Sequence, residues 1–379
     1  MKQLNLIIIL ICLIFLNHCD NNGSKEFREI VLDPKENFTT VKFSKVASTF
    51  VSDIRFASLF LDESSVNVYG SNLFGEYSDK SEKVILNRYD RDLNFISQVV
   101  FPVGQGPGDV GVGGNYFARV DDKILTLNHA LRRISILDKN YKFIKFERLL
   151  FNCMSPTFTD DGKMFFGFNM KREEEGYAYD FIRVTYPDLK KRVLYPMNAL
   201  WLWNKQKKLI IGKRPVISYF VEKGKIYLVN GSDYRIIMLD LNGQILKQIR
   251  INSEKKKVPK EMVDTWLTDQ IGSALAKTCD LTETIQPASW AVPLGKGFTV
   301  VRRKDYMRSC SGLVEADYFD FQLNYIGKTR IPCFFEIFKL KAVNFPRVHC
   351  YENGYLYLIY EDETNEKEEY YLEKWRVEE

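Results

Sequence analysis

Histidine is almost missing from this sequence: three residues in 379, of which only His129 and His349 lie beyond the N-terminal apolar stretch. Neither stands in a metal-ligand spacing or beside the partners of a hydrolytic triad, so the familiar imidazole-centred sites are excluded. There is no C-x-x-C pair, no nucleophile elbow, no paired-acid motif and no P-loop. Alanine is scarce, which counts against a helical protein. One sign of charge does not dominate: 54 Lys and Arg face 49 Asp and Glu, a net +5. That balance is too mild to imply a nucleic-acid partner.

Aromatic residues are plentiful, with 21 Tyr and 27 Phe, and 45% of the chain is hydrophobic. Such a composition describes a globular protein with a large core and leans towards β structure. The first residues, MKQLNLIIILICLIFLNHC, place one Lys before an apolar run from Leu4 to Leu16 that ends at Cys19. This run falls short of the roughly 20 residues needed to span a bilayer as a helix, and its layout is that of a secretory signal. Residues 1–19 are therefore expected to be a signal peptide, 20–25 a tether, and 26–379 one domain outside the cytoplasm. Beyond Cys12 and Cys19 come Cys153, Cys279, Cys310, Cys333 and Cys350, an odd number whose pairing the sequence leaves open.

The ruler for the domain is Ile217 to Ile251, where four short apolar strands are separated by Glu222 to Lys225, Ser232-Asp233 and Asp240 to Gly243. Gly, Asn and Asp clusters of this kind let a chain adopt positive φ and reverse. Similar units start near Ile54, Tyr116, Thr157, Ser289 and Arg347. Turn residues Asp90, Asp138, Pro187 and Asp240 recur about 48, 49 and 53 residues apart, and a 40 to 50-residue period with four strands per repeat is the propeller signature. The next turn is expected at Asn324, delayed by an insertion (253–284) in which Met262, Val263, Trp266, Leu267, Ile271 and Leu275 recur at helical spacing from Pro259 to Lys277. The sixth unit lacks a fourth strand. Apolar stretches between Glu26 and Ser44 are expected to supply it and close the ring. The fold expected is all-β: a six-bladed β-propeller of four-stranded antiparallel blades, closed by an N-terminal strand, with one helical insertion between blades 4 and 5.

Leu16-Asn17-His18-Cys19 resembles a bacterial lipobox, although His18 stands where a small residue is usual. The six units and the segment Gly104-Gln105-Gly106-Pro107-Gly108-Asp109 resemble the six-bladed β-propeller lipoproteins of bacterial envelopes, which look related to NHL-repeat and TolB-like propellers. The resemblance implies lipid attachment at Cys19 and a periplasmic or cell-surface address, but no settled reaction.

Strand alternation puts the first-to-second and third-to-fourth turns of every blade on one face, and the remaining connections on the other. The second group is much longer, and long connections of this sort usually carry function. Met170 to Tyr179 and Pro196 to Pro215 are counted among them. Binding is therefore expected on the second face, to a protein, peptide or glycan. Candidate contacts are Gln105, Asp109, Trp201, Trp203, Arg214, Trp266, Arg303 and Tyr306: indole rings stack on sugars and rings, and guanidinium groups pair with carboxylate or phosphate. No cofactor, metal or catalytic residue is assigned. The alternative is a metal-dependent, lactonase-like hydrolase or lyase at the central channel, near Asn115, Asn128, Asp180 and Glu315.

Overall fold

The computed structural model describes residues 29–33, 37–39, 41–51, 54–71, 83–106, 108–111, 115–129, 131–159, 161–173, 176–204, 209–211, 217–231, 233–253, 288–302, 313–332, 349–362 and 369–379. The N-terminal segment gives β1 (Ile30–Leu32) and β2 (Lys42–Val51). Blade 1 follows with β3 (Arg55–Leu61), β4 (Val66–Ser71), β5 (Lys83–Tyr89) and β6 (Phe95–Pro102). Blade 2 holds β7 (Asn115–Val120), β8 (Lys123–Asn128), β9 (Arg133–Asp138) and β10 (Phe143–Arg148). Blade 3 has five strands: β11 (Met154–Phe158), β12 (Met164–Glu173), β13 (Gly176–Thr185), β14 (Lys190–Asn204) and β15 (Leu209–Ile211). In blade 4 these are β16 (Ile217–Glu222), β17 (Lys225–Asn230), β18 (Arg235–Asp240) and β19 (Ile245–Ile251). Blade 5 contains β20 (Ala288–Pro293), β21 (Gly297–Arg302), β22 (Leu313–Asp320) and β23 (Tyr325–Pro332), and blade 6 β24 (His349–Glu352), β25 (Tyr355–Asp362) and β26 (Glu369–Glu378). Neighbouring strands within each blade are antiparallel, β1 excepted.

Alternation along the central strands explains why their sequences are continuously apolar. In β17, Ile226 and Leu228 enter the core shared with blade 3, while Tyr227 and Val229 enter the core shared with blade 5. Ile237 and Leu239 of β18 go one way, Ile236 and Met238 the other. A strand buried on both sides has no polar face to keep. Among the described residues six such cores form, one at each junction of neighbouring blades, including that between blades 6 and 1. Tyr227 is fully buried and its hydroxyl donates to the Phe321 carbonyl across the junction at 2.7 Å, so its polar end is not stranded.

In blades 1, 2, 4 and 5 the third-to-fourth turn is shaped by one aspartate. The Oδ1 of Asp90, Asp138, Asp240 and Asp320 accepts from the backbone N–H groups two and four residues on, at 2.8 to 2.9 Å. This side-chain turn mimics a backbone turn. In blade 5 the turn residue is thus Asp320 and not Asn324, whose N–H is one of the donors.

Blade 6 is completed by β2, which pairs antiparallel with β26 from Lys42↔Glu378 to Val51↔Tyr370. The closing strand therefore begins near the end of the Glu26–Ser44 stretch expected to supply it and runs past it. Ten-residue β26 needs a partner of its own length, which the stretch around Ile30 cannot give. That stretch instead becomes β1, laid parallel on β19 as a fifth strand of blade 4. Between the two, Phe38 bridges Lys328 in parallel on β23 of blade 5. The N-terminal segment thus laces the outer edges of blades 4, 5 and 6 in turn. No helix occurs among the described residues; the helix expected over Pro259–Lys277 lies outside them.

Candidate functional site

Strand order fixes two faces. The first carries only turns of two to five residues, from 121–122 and 223–224 to 90–94 and 159–163. On the second face the intervals between strands include 72–82, 103–114, 252–287, 303–312 and 333–348. Blade 3 departs from the expectation for this face. Met170 to Glu173 and Gly176 to Tyr179 are strand and not loop: β12 and β13 pair continuously from Met164↔Thr185 to Glu173↔Gly176. Of Pro196 to Pro215, the residues through Asn204 continue β14, and Leu209–Ile211 pairs with it as β15; 205–208 and 212–216 lie outside the described residues. The reason lies in composition, since Tyr, Trp and Ile favour strands and outweigh the charges of Lys171 to Glu173. Trp201 and Trp203 accordingly stand on a strand, Trp201 opposite Tyr177 and Trp203 opposite Ile210. Where the ladder leaves the disc, Asp180 is buried and pairs with Lys171 at 2.6 Å.

Next to the second face of blade 2, the glycine-rich segment folds around its own aspartate. Asp109 Oδ2 accepts from the Gly106 N–H at 2.8 Å, and a Cβ on Gly104 would sit 2.4 Å from that oxygen. Arg133, itself buried, donates Nη1 to the carbonyls of Gln105 and Gly106 at 3.3 Å each and Nη2 to that of Asp109. Its guanidinium lies over the Phe146 ring. Gln105 has its side chain exposed beside this bracket. Asn128 Nδ2 donates to Asn115 Oδ1 at 2.7 Å, and Asn115 Nδ2 to the Gly111 carbonyl at 2.7 Å.

Blade 4 has an arginine at the equivalent register. Arg133 stands opposite Asn128 and Arg148, Arg235 opposite Asn230 and Arg250. Arg235 holds a different segment: its Nε is 2.9 Å from Glu29 and its Nη2 3.0 Å from Asp233.

The densest polar arrangement joins blades 4 and 5. Asp317 is fully buried and accepts from Tyr234 Oη, from Tyr325 Oη at 2.8 Å and from Arg302 Nε at 2.6 Å. Burial, reinforced by this carboxylate, pushes the Tyr234 hydroxyl well above its ordinary range. Arg302 Nη1 lies 4.0 Å from Glu315, which pairs with the buried Lys328 at 3.4 Å. Two cations and two carboxylates balance, and three donors occupy Asp317, which suits a bolt between blades better than a proton acceptor. From the sequence only Glu315 of this cluster was singled out, because its other members are brought together over long separations, Tyr234 and Asp317 being 83 residues apart.

Of the proposed metal positions, Asn115 and Asn128 meet, while Asp180 and Glu315 are engaged by lysines. Among the described residues, no three His, Cys, Asp or Glu side chains are grouped to hold a metal ion. Cys153 is a free thiol, fully buried, with burial raising its pKa. Arg214, Trp266, Arg303, Tyr306 and Cys19 lie outside the described residues.

With the ring of six blades and its two faces in view, the protein is a six-bladed β-propeller. Solved structures agree on this architecture. A protein from Bacteroides fragilis described as exported shares 13% identity at a TM-score of 0.50, with 92% of this chain and 100% of that one covered. A member of the DUF4221 family from Bacteroides vulgatus shares 10% identity at a TM-score of 0.55, covering 91% of this chain and 99% of that one. At these identities the likeness concerns the fold. No protein-family model matches the chain, and no curated protein matches its sequence.

Proposed function

We propose that this propeller is a lipid-anchored, extracytoplasmic binding module, held through Cys19 and engaging a protein, peptide or glycan on its second face. The observation that carries the reading is the asymmetry of the faces. Every first-face turn has two to five residues, whereas intervals such as 252–287 and 333–348 open on the second. A ring needs only short turns to close, so length confined to one face points to a task other than folding. Trp201, Trp203, Trp266, Arg214, Arg303, Tyr306, Gln105 and Asp109 are the contacts proposed there.

The address outside the cytoplasm rests on the apolar run Leu4 to Leu16 ahead of Cys19. The structural relative described as exported supports it. A lipobox-like tetrapeptide at Leu16 to Cys19 supports acylation, and with it kinship to envelope lipoproteins of the NHL-repeat and TolB-like kind. Fatty-acid labelling of wild type, lost in Cys19→Ala, tests the anchor. For the binding face, the test is affinity capture from envelope extracts with wild type and with Trp201→Ala/Trp203→Ala/Arg303→Ala. Retention of every captured partner by the triple variant overturns the assignment. Metal analysis of the purified protein, with melting before and after chelation, tests the metal-dependent hydrolase or lyase alternative.

A further inference from the structure

We infer that the outer edges of blades 4 and 5 rest on the surface of the membrane that holds the anchor, so that the propeller stands edge-on. The inference rests on the lipid-anchor reading and adds an orientation to it.

The described part of the N-terminal segment begins at the outer edge of blade 4. Glu29 is fixed at the outer edge of blade 4 by Arg235 at 2.9 Å, Arg250 at 3.4 Å and Gln248 at 2.9 Å. Ile30–Leu32 then runs along β19, with the Asn252 N–H donating to the Leu32 carbonyl at 2.8 Å. On blade 5 the Lys328 N–H donates to the Asn37 carbonyl at 2.9 Å, and the Thr39 N–H to the Lys328 carbonyl at 2.6 Å. Ten residue steps separate Cys19 from Glu29. A fully extended chain spans at most about 3.3–3.6 Å per residue, so Glu29 cannot stand more than roughly 35 Å from an acylated Cys19.

Where the tether arrives, apolar side chains face outwards: Phe38 is 55% exposed, Val31 50% and Ile326 47%, with Ile30 and Leu246 beside them. Cations are interleaved with them. Arg330 lies over the Phe38 ring, 5.6 Å from its centroid, and Arg250, half exposed beside its partner Glu29, is at the end of the same edge. Apolar and aromatic side chains flanked by Lys and Arg suit the headgroup boundary of an anionic bilayer. Exposed apolar side chains alone do not choose this rim. On the opposite side of the ring, blades 1 and 2 expose Phe95 at 59% and Ile144 at 50%. The tether chooses, because it leaves from blade 4. In this orientation both faces of the disc stand at right angles to the membrane, and the second face opens sideways to molecules moving along it.

The test uses the full-length acylated protein in vesicles of phosphatidylethanolamine and phosphatidylglycerol, some of the lipid carrying a nitroxide near the headgroup. A fluorescent amino acid replaces Phe38, Leu246 or, on the far rim, Ile144. Quenching severalfold stronger at positions 38 and 246 than at 144 is the expected result. Equal quenching at the three positions, or stronger quenching at 144, overturns the orientation. So does a change at position 38 that follows protein concentration and ignores the nitroxide, which would assign this rim to a second copy of the chain. Flotation separates the two layers of the argument. Protein that floats with vesicles while position 38 stays unquenched refutes the orientation alone; protein that neither floats nor carries a fatty acid refutes the anchor and the orientation together.

Discussion

Strands β1 and β2 come from one N-terminal segment, yet one completes a blade and the other is added to a blade already complete. β2 occupies the fourth place of blade 6 and pairs with β26 from Lys42 to Val51, with Val51 buried at its end and Val41 buried just before it. β1 has three residues, pairs in parallel, and leaves Ile30 and Val31 exposed. The difference teaches that closing the ring and tethering it are separate tasks in neighbouring stretches. The sharpest way to break that comparison is to delete each in turn. Removal of 41–51 unpairs β26 and opens the cores between blades 6 and 1 and between 5 and 6. It is expected to abolish the single cooperative melting transition seen by circular dichroism. Removal of 29–39 is expected to keep that transition and lower its midpoint by several degrees. Equal damage from the two deletions would sink the division of tasks.

A smaller effect is expected where the strap crosses blade 5. Gly327 lies so close that a Cβ there would sit 2.6 Å from the Asn37 backbone carbonyl. Gly327→Val must push the strap off β23 or shift β23 itself, an overpacking cost of about 1–3 kcal/mol. New cleavage between residues 33 and 41 in limited proteolysis, with melting still cooperative, is the outcome expected. Full protection of that stretch would show that the close approach can relax in place.

Much of this architecture was legible in the chain, and what escaped was non-local. The four strands of Ile217 to Ile251 emerge nearly residue for residue as β16 to β19, because turn chemistry is local: Asp240 bonds to residues two and four positions ahead. Blade 5 slipped by four residues, from Asn324 to Asp320, since Asp and Asn serve the same turn at different places. In blade 3, Lys171 to Glu173 carries charge in a region read as loop, and only the pairing with Gly176 to Ala178 reveals the two strands. The candidate site was legible only as a face. Arg133 reaches 24 to 28 residues back to its bracket, and Asp317 takes donors from two blades. Periodicity in one sequence carries no information about such partners.

Charge sharpens the comparison on the β2 side. Lys45 reaches from the closing strand to Glu373 at 2.6 Å, and Glu373, almost fully buried, also accepts from Trp375 Nε1 at 2.9 Å. Lys45→Ala leaves that carboxylate buried with one donor fewer. Lys45 itself is half exposed, so the full cost of breaking a buried pair does not apply, and about 1–2 kcal/mol is expected. Adding Glu373→Gln should recover part of it in a double-mutant cycle followed by urea melts. A double variant as unstable as the sum of the singles would mean that the two side chains are not coupled.

The smallest effect is expected where the strap begins. Glu29 pairs with Arg235 at 2.9 Å and Arg250 at 3.4 Å, but all three side chains are partly open to water. Solvent competes for each charge, and exposed pairs of this kind contribute about 0–1 kcal/mol. Glu29→Gln should therefore move the melting midpoint little, and salt should narrow the gap to wild type because screening already weakens the pair in the parent. Arg235→Ala should cost somewhat more, since it also releases Asp233. Both should cost less than Arg133→Ala, which takes one donor from each of three backbone carbonyls beneath a buried guanidinium. The two arginines share a register and differ in what they hold, so this ranking asks whether the N-terminal segment is bound as firmly as the chain's own loop. A Glu29→Gln loss as large as that of Arg133→Ala would make the strap an integral part of blade 4, and β1 would no longer differ in kind from β2.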